Sequence, residues 1–264
     1  FTLSLGTTLL YLTVIILIPV LALILKGAEI GPARFWGIVT APRAIAAFQV
    51  TITAAVIATA FNAVYGLLMA WVLVRYEFPG KRILDALMDI PFALPTAVAG
   101  LSLTALFSAN GWIGQWLEPQ GISIVYTIWG VALAMAFTSV PFVVRTVQPV
   151  LEDLDPAYEQ AARTLGASEG AIFARVVFPQ ILPAWLAGCT IAFARSLGEF
   201  GAIVFIAGNL PFRTEIAALL AFIRLEEFDY QGASAIALVL LMFALILLVV
   251  SNRLQAWALR FKGV

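Results

Sequence analysis

Glu159-Gln160-Ala161-Ala162-Arg163-Thr164-Leu165-Gly166, continued to Phe178-Pro179, is a polar, helix-prone stretch set between two long apolar runs. Asp155 is placed to cap a first helix, and Pro156 suits its first turn, where no amide donor is needed. Gly166 is placed to end that helix in a left-handed turn, and Ser168 can cap a second one. The spacing predicts two short helices joined by a sharp bend, over approximately 152–180. Such a projection could seat in a partner's groove or lie as a helical hairpin on a membrane surface.

The composition around this stretch is that of a membrane protein. The 264 residues are 62% hydrophobic and 11% charged, with a mean hydropathy of +1.02, whereas a soluble domain is nearer half apolar and a quarter charged. With no histidine and one cysteine, Cys189 in an apolar run, the sequence argues against a metal site, a disulfide framework or Cys/His catalysis. Cys189 is read as a small packing residue. No phosphate-binding loop is present. The one Gly-Lys pair, Gly80-Lys81, is followed by Arg82 and has Arg75 where the motif's first glycine belongs.

Six runs are long and apolar enough to cross a bilayer as helices: approximately Thr8–Leu25, Phe48–Val74, Leu84–Phe107, Val125–Val144, Leu182–Ala207 and Ala233–Val250. The expected fold class is therefore an all-α integral membrane protein of six transmembrane helices, forming one transmembrane domain over 1–264. The chain begins at Phe1, so some native N-terminal residues are expected to be missing. The first run lacks a basic flank and a small-residue cleavage site, and is read as a retained span. Nine of the fifteen Lys and Arg lie on the side that carries Arg75, Arg145, Arg163 and the C-terminal tail. Five lie opposite, and Arg195 falls inside a span. The side with nine, both termini and the 152–180 loop are expected to be cytoplasmic.

Two of these spans carry unusual residues. In Arg195-Ser196-Leu197-Gly198-Glu199-Phe200-Gly201, Arg195 falls about 13 residues into the predicted helix, near mid-membrane at 1.5 Å per residue. A lone charge there costs about 2.5–3.5 kcal/mol on insertion scales. Glu199, four residues on, shares its face and can offset it. The pair is either a static neutralised contact or part of a conduction pathway. Gly198 and Gly201 are expected to let a neighbouring helix approach. The third span contains Pro91-Phe92-Ala93-Leu94-Pro95-Thr96, whose two prolines should kink or unwind it. Whether that break lines a pathway or only bends a helix stays open.

The opening stretch resembles the cytoplasmic loop of the permease subunits of ATP-driven importers. Their pattern is Glu-Ala-Ala, three residues, Gly, nine residues, then Ile-x-Leu-Pro. Here Gln160-Ala161-Ala162, Gly166 and Val176-Val177-Phe178-Pro179 keep the spacing, with Gln160 in place of the glutamate and Glu159 one position earlier. Further stretches resemble the sulfate/thiosulfate permeases (T/U component) of the sulfate/molybdate type I importer group. They are Pro91–Gly100, Gly111–Leu117, Pro141–Leu151, Arg195–Asn209 and Arg224–Tyr230.

The resemblance implies a non-catalytic subunit with the type I importer permease fold, in the bacterial inner membrane. It implies a second homologous permease, two copies of an ATPase carrying ATP and Mg, and a soluble sulfate-binding protein as partners, with no cofactor on this chain and no nucleic acid. Glu159, Gln160, Ala161, Ala162, Gly166, Phe178 and Pro179 would couple to the ATPase. Arg195, Ser196, Gly198, Glu199, Gly201, Pro91, Pro95 and Thr96 would serve the pathway or its gate. Arg224, Glu226, Glu227 and Asp229 would meet the binding protein or form a solvated loop. Molybdate or tungstate import is the alternative, and an ion-driven transporter or channel a more distant one. Moving sulfate into a negative-inside cell costs about 4.6 kcal/mol per 100 mV, so an external energy source is needed.

Overall fold

The computed structural model describes residues 2–260, with side chains described over 5–253. Lys262, counted above in the basic tail, lies outside the described residues. Five helices are long and apolar enough to cross a membrane: α1 (Leu5–Ala28), α3 (Pro42–Arg75), α8 (Ile128–Glu152), α10 (Glu169–Leu197) and α13 (Tyr230–Arg260, apolar through Arg253). Between them run α2 (Pro32–Val39), α4 (Lys81–Met88), α5 (Ile90–Ala93), α6 (Thr96–Phe107), α7 (Gly114–Leu117), α9 (Pro156–Thr164), α11 (Gly201–Ala207) and α12 (Ala217–Glu226).

From Ile128 to Val144 helix α8 carries only Thr138 and Ser139 as polar residues, and a helix that is apolar nearly all round belongs inside a bundle. Two-thirds of its most apolar stretch is buried, against none of that of α1. It packs along α3 and α10, and these three helices run through two separate cores. The core near the 152–180 loop holds Ala70, Leu73, Met88, Val140, Val143, Val144, Val147, Leu151, Ile172, Val177 and Ile181. The core at the other end holds Ala54, Ala58, Leu103, Val131, Met135, Ile203, Ile206 and Ile216. Between them, Asn62 Nδ2 on α3 donates to Ala136 O at 3.0 Å and to Ser139 Oγ at 2.8 Å on α8. Ser196 Oγ on α10 lies 3.3 Å from Ser139 Oγ. This buried seam of small polar groups joins all three long helices, and Trp185 Nε1 of α10 also donates to Ala63 O of α3 at 2.8 Å.

Two expected spans differ from continuous helices. Leu84–Phe107 is in three pieces, α4, α5 and α6, with extended backbone at Leu94 (ψ 135°) and Pro95 (ψ 132°). Leu182–Ala207 stops at Leu197, and after Gly198-Glu199-Phe200 the chain restarts as α11. The six spans expected from the sequence are thus five long helices and a set of short ones among the described residues, with the expected proline break in the third present and the break after Leu197 not foreseen. The prolines act at helix starts: Pro91 sits in the first turn of α5, and Pro95 directly precedes α6.

The two short helices that follow the breaks pack on each other. A Cβ at Gly100 of α6 would lie 2.3 Å from the carbonyl oxygen of Ala202 in α11. One at Gly201 would lie 2.1 Å from Thr96 Oγ1. Only glycine permits this approach. The expectation for Gly198 does not hold: the nearest atom to a Cβ there is its own helix's Arg195 O, at 3.9 Å.

Candidate functional site: a helical elbow and a membrane charge pair

Helix α9 forms as the capping pattern requires. Asp155 Oδ1 accepts from Ala157 N at 2.9 Å, and Pro156 opens the first turn. At the other end Ala167 N bonds to Ala162 O (3.1 Å) and Gly166 N to Arg163 O (2.9 Å), with Gly166 at φ +82°. That pair of bonds is a glycine-terminated Schellman cap. Ser168 Oγ then accepts from Ala171 N at 3.4 Å. The second helix of the elbow is not separate: it runs through a π-turn at Phe173–Val177 and becomes α10. The π-turn is the kind of local irregularity that periodicity does not reveal.

Arg163 closes the elbow with two bonds to Glu169, at 2.7 and 2.9 Å, and the hydrogen bonding to that carboxylate raises the guanidinium's pKa above its ordinary value. Glu159 has a partner within the chain. It is buried, and its carboxylate is paired with Arg75 at the end of α3, the Arg75 guanidinium standing over the Trp71 ring at 5.1 Å. The carboxylate therefore anchors the elbow to α3. Gln160, Ala161 and Thr164 face outward, Ala162 is half-buried, and Leu165 at the apex is 87% exposed. Phe178 is half-buried between Phe173 and Trp185 (ring centroids 5.9 and 5.7 Å), and Pro179 is exposed.

Arg195 and Glu199 do meet, at 2.7 Å, but not within one helix. Arg195 is in the last turn of α10 and not midway along a span. Glu199 lies in the break, buried to 1% exposure, and its Oε1 accepts from Ala202 N at 3.0 Å. A carboxylate at that position satisfies an orphan amide of α11 and favours the positive end of its dipole. The pair thus ties the end of one helix to the start of the next. Ser196 is buried beside it and donates to Ala192 O at 2.8 Å, while Thr96 stands against Gly201. Arg195, Ser196, Glu199, Gly201 and Thr96 are brought together; Pro91, one turn upstream of the break, stays with α5.

At the other end, Asp229 is used internally. It pairs with Arg224 at 3.1 Å and caps α13 through Gly232 N at 2.9 Å, which leaves Glu226 and Glu227 exposed beside Phe228 (φ +61°, 77% exposed). The sequence reading missed three elements here. These are Arg75 as the partner of Glu159, the Asn62–Ser139–Ser196 seam, and Arg43, which clasps the buried Glu215 at 2.9 and 2.7 Å. Asn62 and Ser139 are isolated polar residues in apolar runs, a signal that was available.

Comparison with known proteins fits this geometry. The model of the family "Binding-protein-dependent transport system inner membrane component" matches residues 62–261. The chain is 56% identical over 256 residues to the Sulfate transport system permease protein CysT of Escherichia coli (strain K12), covering 97% of this chain and 92% of that one. It is 52% identical to the protein of the same name from Synechococcus elongatus, over 96% of this chain and 91% of that one. Among solved structures, a bacterial ABC transporter involved in the import of the acidic polysaccharide alginate matches with a TM-score of 0.79. The identity is 17%, over 97% of this chain and 94% of that one. The MetNI methionine ABC transporter matches at a TM-score of 0.60 and 14% identity, over 81% of this chain and 95% of that one. The chain belongs to the binding-protein-dependent transport system inner membrane components, in the group of sulfate transport system permeases.

Proposed function

We propose that this chain is the non-catalytic permease subunit of an ATP-driven importer that carries sulfate or thiosulfate into the cell by alternating access. One observation carries the substrate reading: 56% identity, over 97% of the chain, to a sulfate transport permease. The capped elbow, tied to α3 through Glu159 and Arg75, supports coupling to a separate ATPase. Its outward residues Gln160, Ala161, Gly166 and Leu165 would seat on that ATPase, which binds ATP and Mg. Six crossings are inferred, the third made by α4, α5 and α6 in succession, with both termini and the elbow on the cytoplasmic side of the inner membrane. Arg195, Ser196, Glu199, Gly201, Pro95 and Thr96 would line or gate the pathway at the two breaks. Glu226 and Glu227 would face a soluble binding protein, and a second, homologous permease would complete the membrane part beside two ATPase copies.

The test is labelled-sulfate uptake in cells lacking their own sulfate importer. The chain is co-expressed with its natural partners, with and without ATPase-inactivating substitutions, and molybdate serves as competitor. ATP-dependent uptake that resists low molybdate is expected. Uptake that survives ATPase inactivation would discard the importer mechanism, and strong competition would make the substrate molybdate or tungstate.

A further inference from the structure

Arg145 lies within Pro141–Leu151, a stretch to which the proposed function gives no task. It sits near the end of α8, two turns before Glu152. Its Nε and Nη2 bond both oxygens of Asp89, at 2.8 and 2.7 Å. Its Nη1 reaches Asp85 Oδ1 at 2.6 Å and Gln148 Oε1 at 2.7 Å, and Nη2 also donates to Asp85 O at 2.9 Å. Asp85 in α4 and Asp89, directly after its end, are one turn apart and meet the same guanidinium. A planar guanidinium with five donors can grip one carboxylate bidentately and still reach the other; an ammonium, with three donors and no fork, holds them less firmly.

The contact extends beyond the charges. Phe92 of α5 stands edge-on to Phe142 of α8, with centroids 5.2 Å apart at 83°. Leu84 and Met88 pack into the core that holds Val144, Val147 and Leu151. The elbow-side half of the third crossing is therefore attached to α8. Its other half, α6, beyond Leu94-Pro95, is attached to α11 through Gly100 and Ala202. Helix α8 in turn passes through Asp153-Leu154-Asp155 directly into elbow helix α9.

We propose that Arg145 is a positioning residue that makes α4 and α5 follow the elbow, so that displacement of the elbow by a nucleotide-bound ATPase is delivered to the Leu94-Pro95 joint. The clamp rests on the reading of this chain as an ATP-coupled permease. The first half is tied to α8 by ion pairs, the second lies chiefly against α11 with Leu103 reaching the core that holds Val131 and Met135, and the two extended residues between them are where relative motion can be taken up.

The experiment uses the whole complex with its natural partners in lipid nanodiscs, with Cys189→Ser, Ile83→Cys and Leu101→Cys carrying spin labels across the joint. The distance between labels is measured without nucleotide and with ATP trapped by an ATPase-inactivating substitution. Sulfate transport and ATP hydrolysis are measured on the unlabelled complex in sealed proteoliposomes. In the otherwise native chain the distance is expected to change on trapping ATP. In Arg145→Gln the change is expected to vanish, and transport per ATP hydrolysed to fall by about tenfold or more while hydrolysis persists. Arg145→Lys should restore part of both. If Arg145→Gln does not assemble, Asp89→Asn, which keeps the side chain's shape and the Asp85 contacts, is read in the same way. A native chain with no distance change, an Arg145→Gln chain that keeps it, or transport and hydrolysis falling in equal proportion would overturn the proposal. A nucleotide-driven change lost in Arg145→Gln without any sulfate transport would uphold the clamp and remove the sulfate assignment.

Discussion

Leu94-Pro95 and Gly198-Glu199-Phe200 both interrupt a membrane helix, yet they do so by different physics. At the first, Pro95 lacks the amide that would bond back to residue 91, and the residue before a proline is pushed to extended backbone; Leu94 has ψ 135°. At the second no proline is present. There Glu199 turns out of the helix path, bonds the amide of Ala202 and pairs with Arg195. Proline alone does not make a break in this protein either. Pro141 and Pro149 lie inside the unbroken α8, and Pro183 lies inside α10. A break forms where the freed backbone groups find other partners and the pieces find separate neighbours to pack against.

The largest expected effect falls on the charge-built break. Arg195→Ala leaves Glu199 buried without its cation, a situation worth about 3 kcal/mol or more, so uptake should drop about a hundredfold while the complex still co-purifies. Wild-type uptake in that variant would reduce the pair to packing and make the two breaks alike. Next comes the contact that joins the breaks. Gly100→Ala forces a Cβ against the backbone carbonyl of Ala202, and an overpacking cost of about 2 kcal/mol should lower uptake roughly thirtyfold. Unaltered transport would show that α6 and α11 need not stay together.

The elbow supplies a third turn, made by left-handed backbone alone, since a Cβ at Gly166 would touch nothing within 4 Å. Gly166→Asp should therefore cost about 1–2 kcal/mol and cut ATPase co-purification about tenfold, with membrane insertion normal. Retained ATPase binding and uptake would refute the docking role of the elbow. The smallest effect is expected at the proline break. Pro95→Ala should leave uptake within about threefold of wild type, because Arg145 and Gly100 hold the two halves apart whatever residue sits between them. A larger loss would return the credit for that break to the proline itself.

Much of the site was legible because its causes are local. Asp155, Pro156, Gly166 and Ser168 act on residues within one turn, and their caps form as written. The four-residue spacing of Arg195 and Glu199 foretold their meeting, though not that the helix would end between them. Glu159 was the harder residue. Its burial depends on Arg75, 84 positions earlier in the chain, and nothing in the loop marks that partner. The same is true of Arg145, whose two aspartates lie 56 and 60 positions away.

By itself the sequence determined that this is a helical membrane protein, where its long spans run, and where a rigid elbow projects between two of them. Hydrophobic length, capping residues and a glycine at a left-handed turn set these features over distances of one helix or less. The tertiary structure alone decided which charges face inward, which prolines break a helix and which are absorbed, and that the two interrupted crossings meet at Gly100 and Ala202. Those outcomes are settled by packing and ion pairing between helices far apart in the chain, where a carboxylate or a freed carbonyl is stable only if another helix supplies its partner.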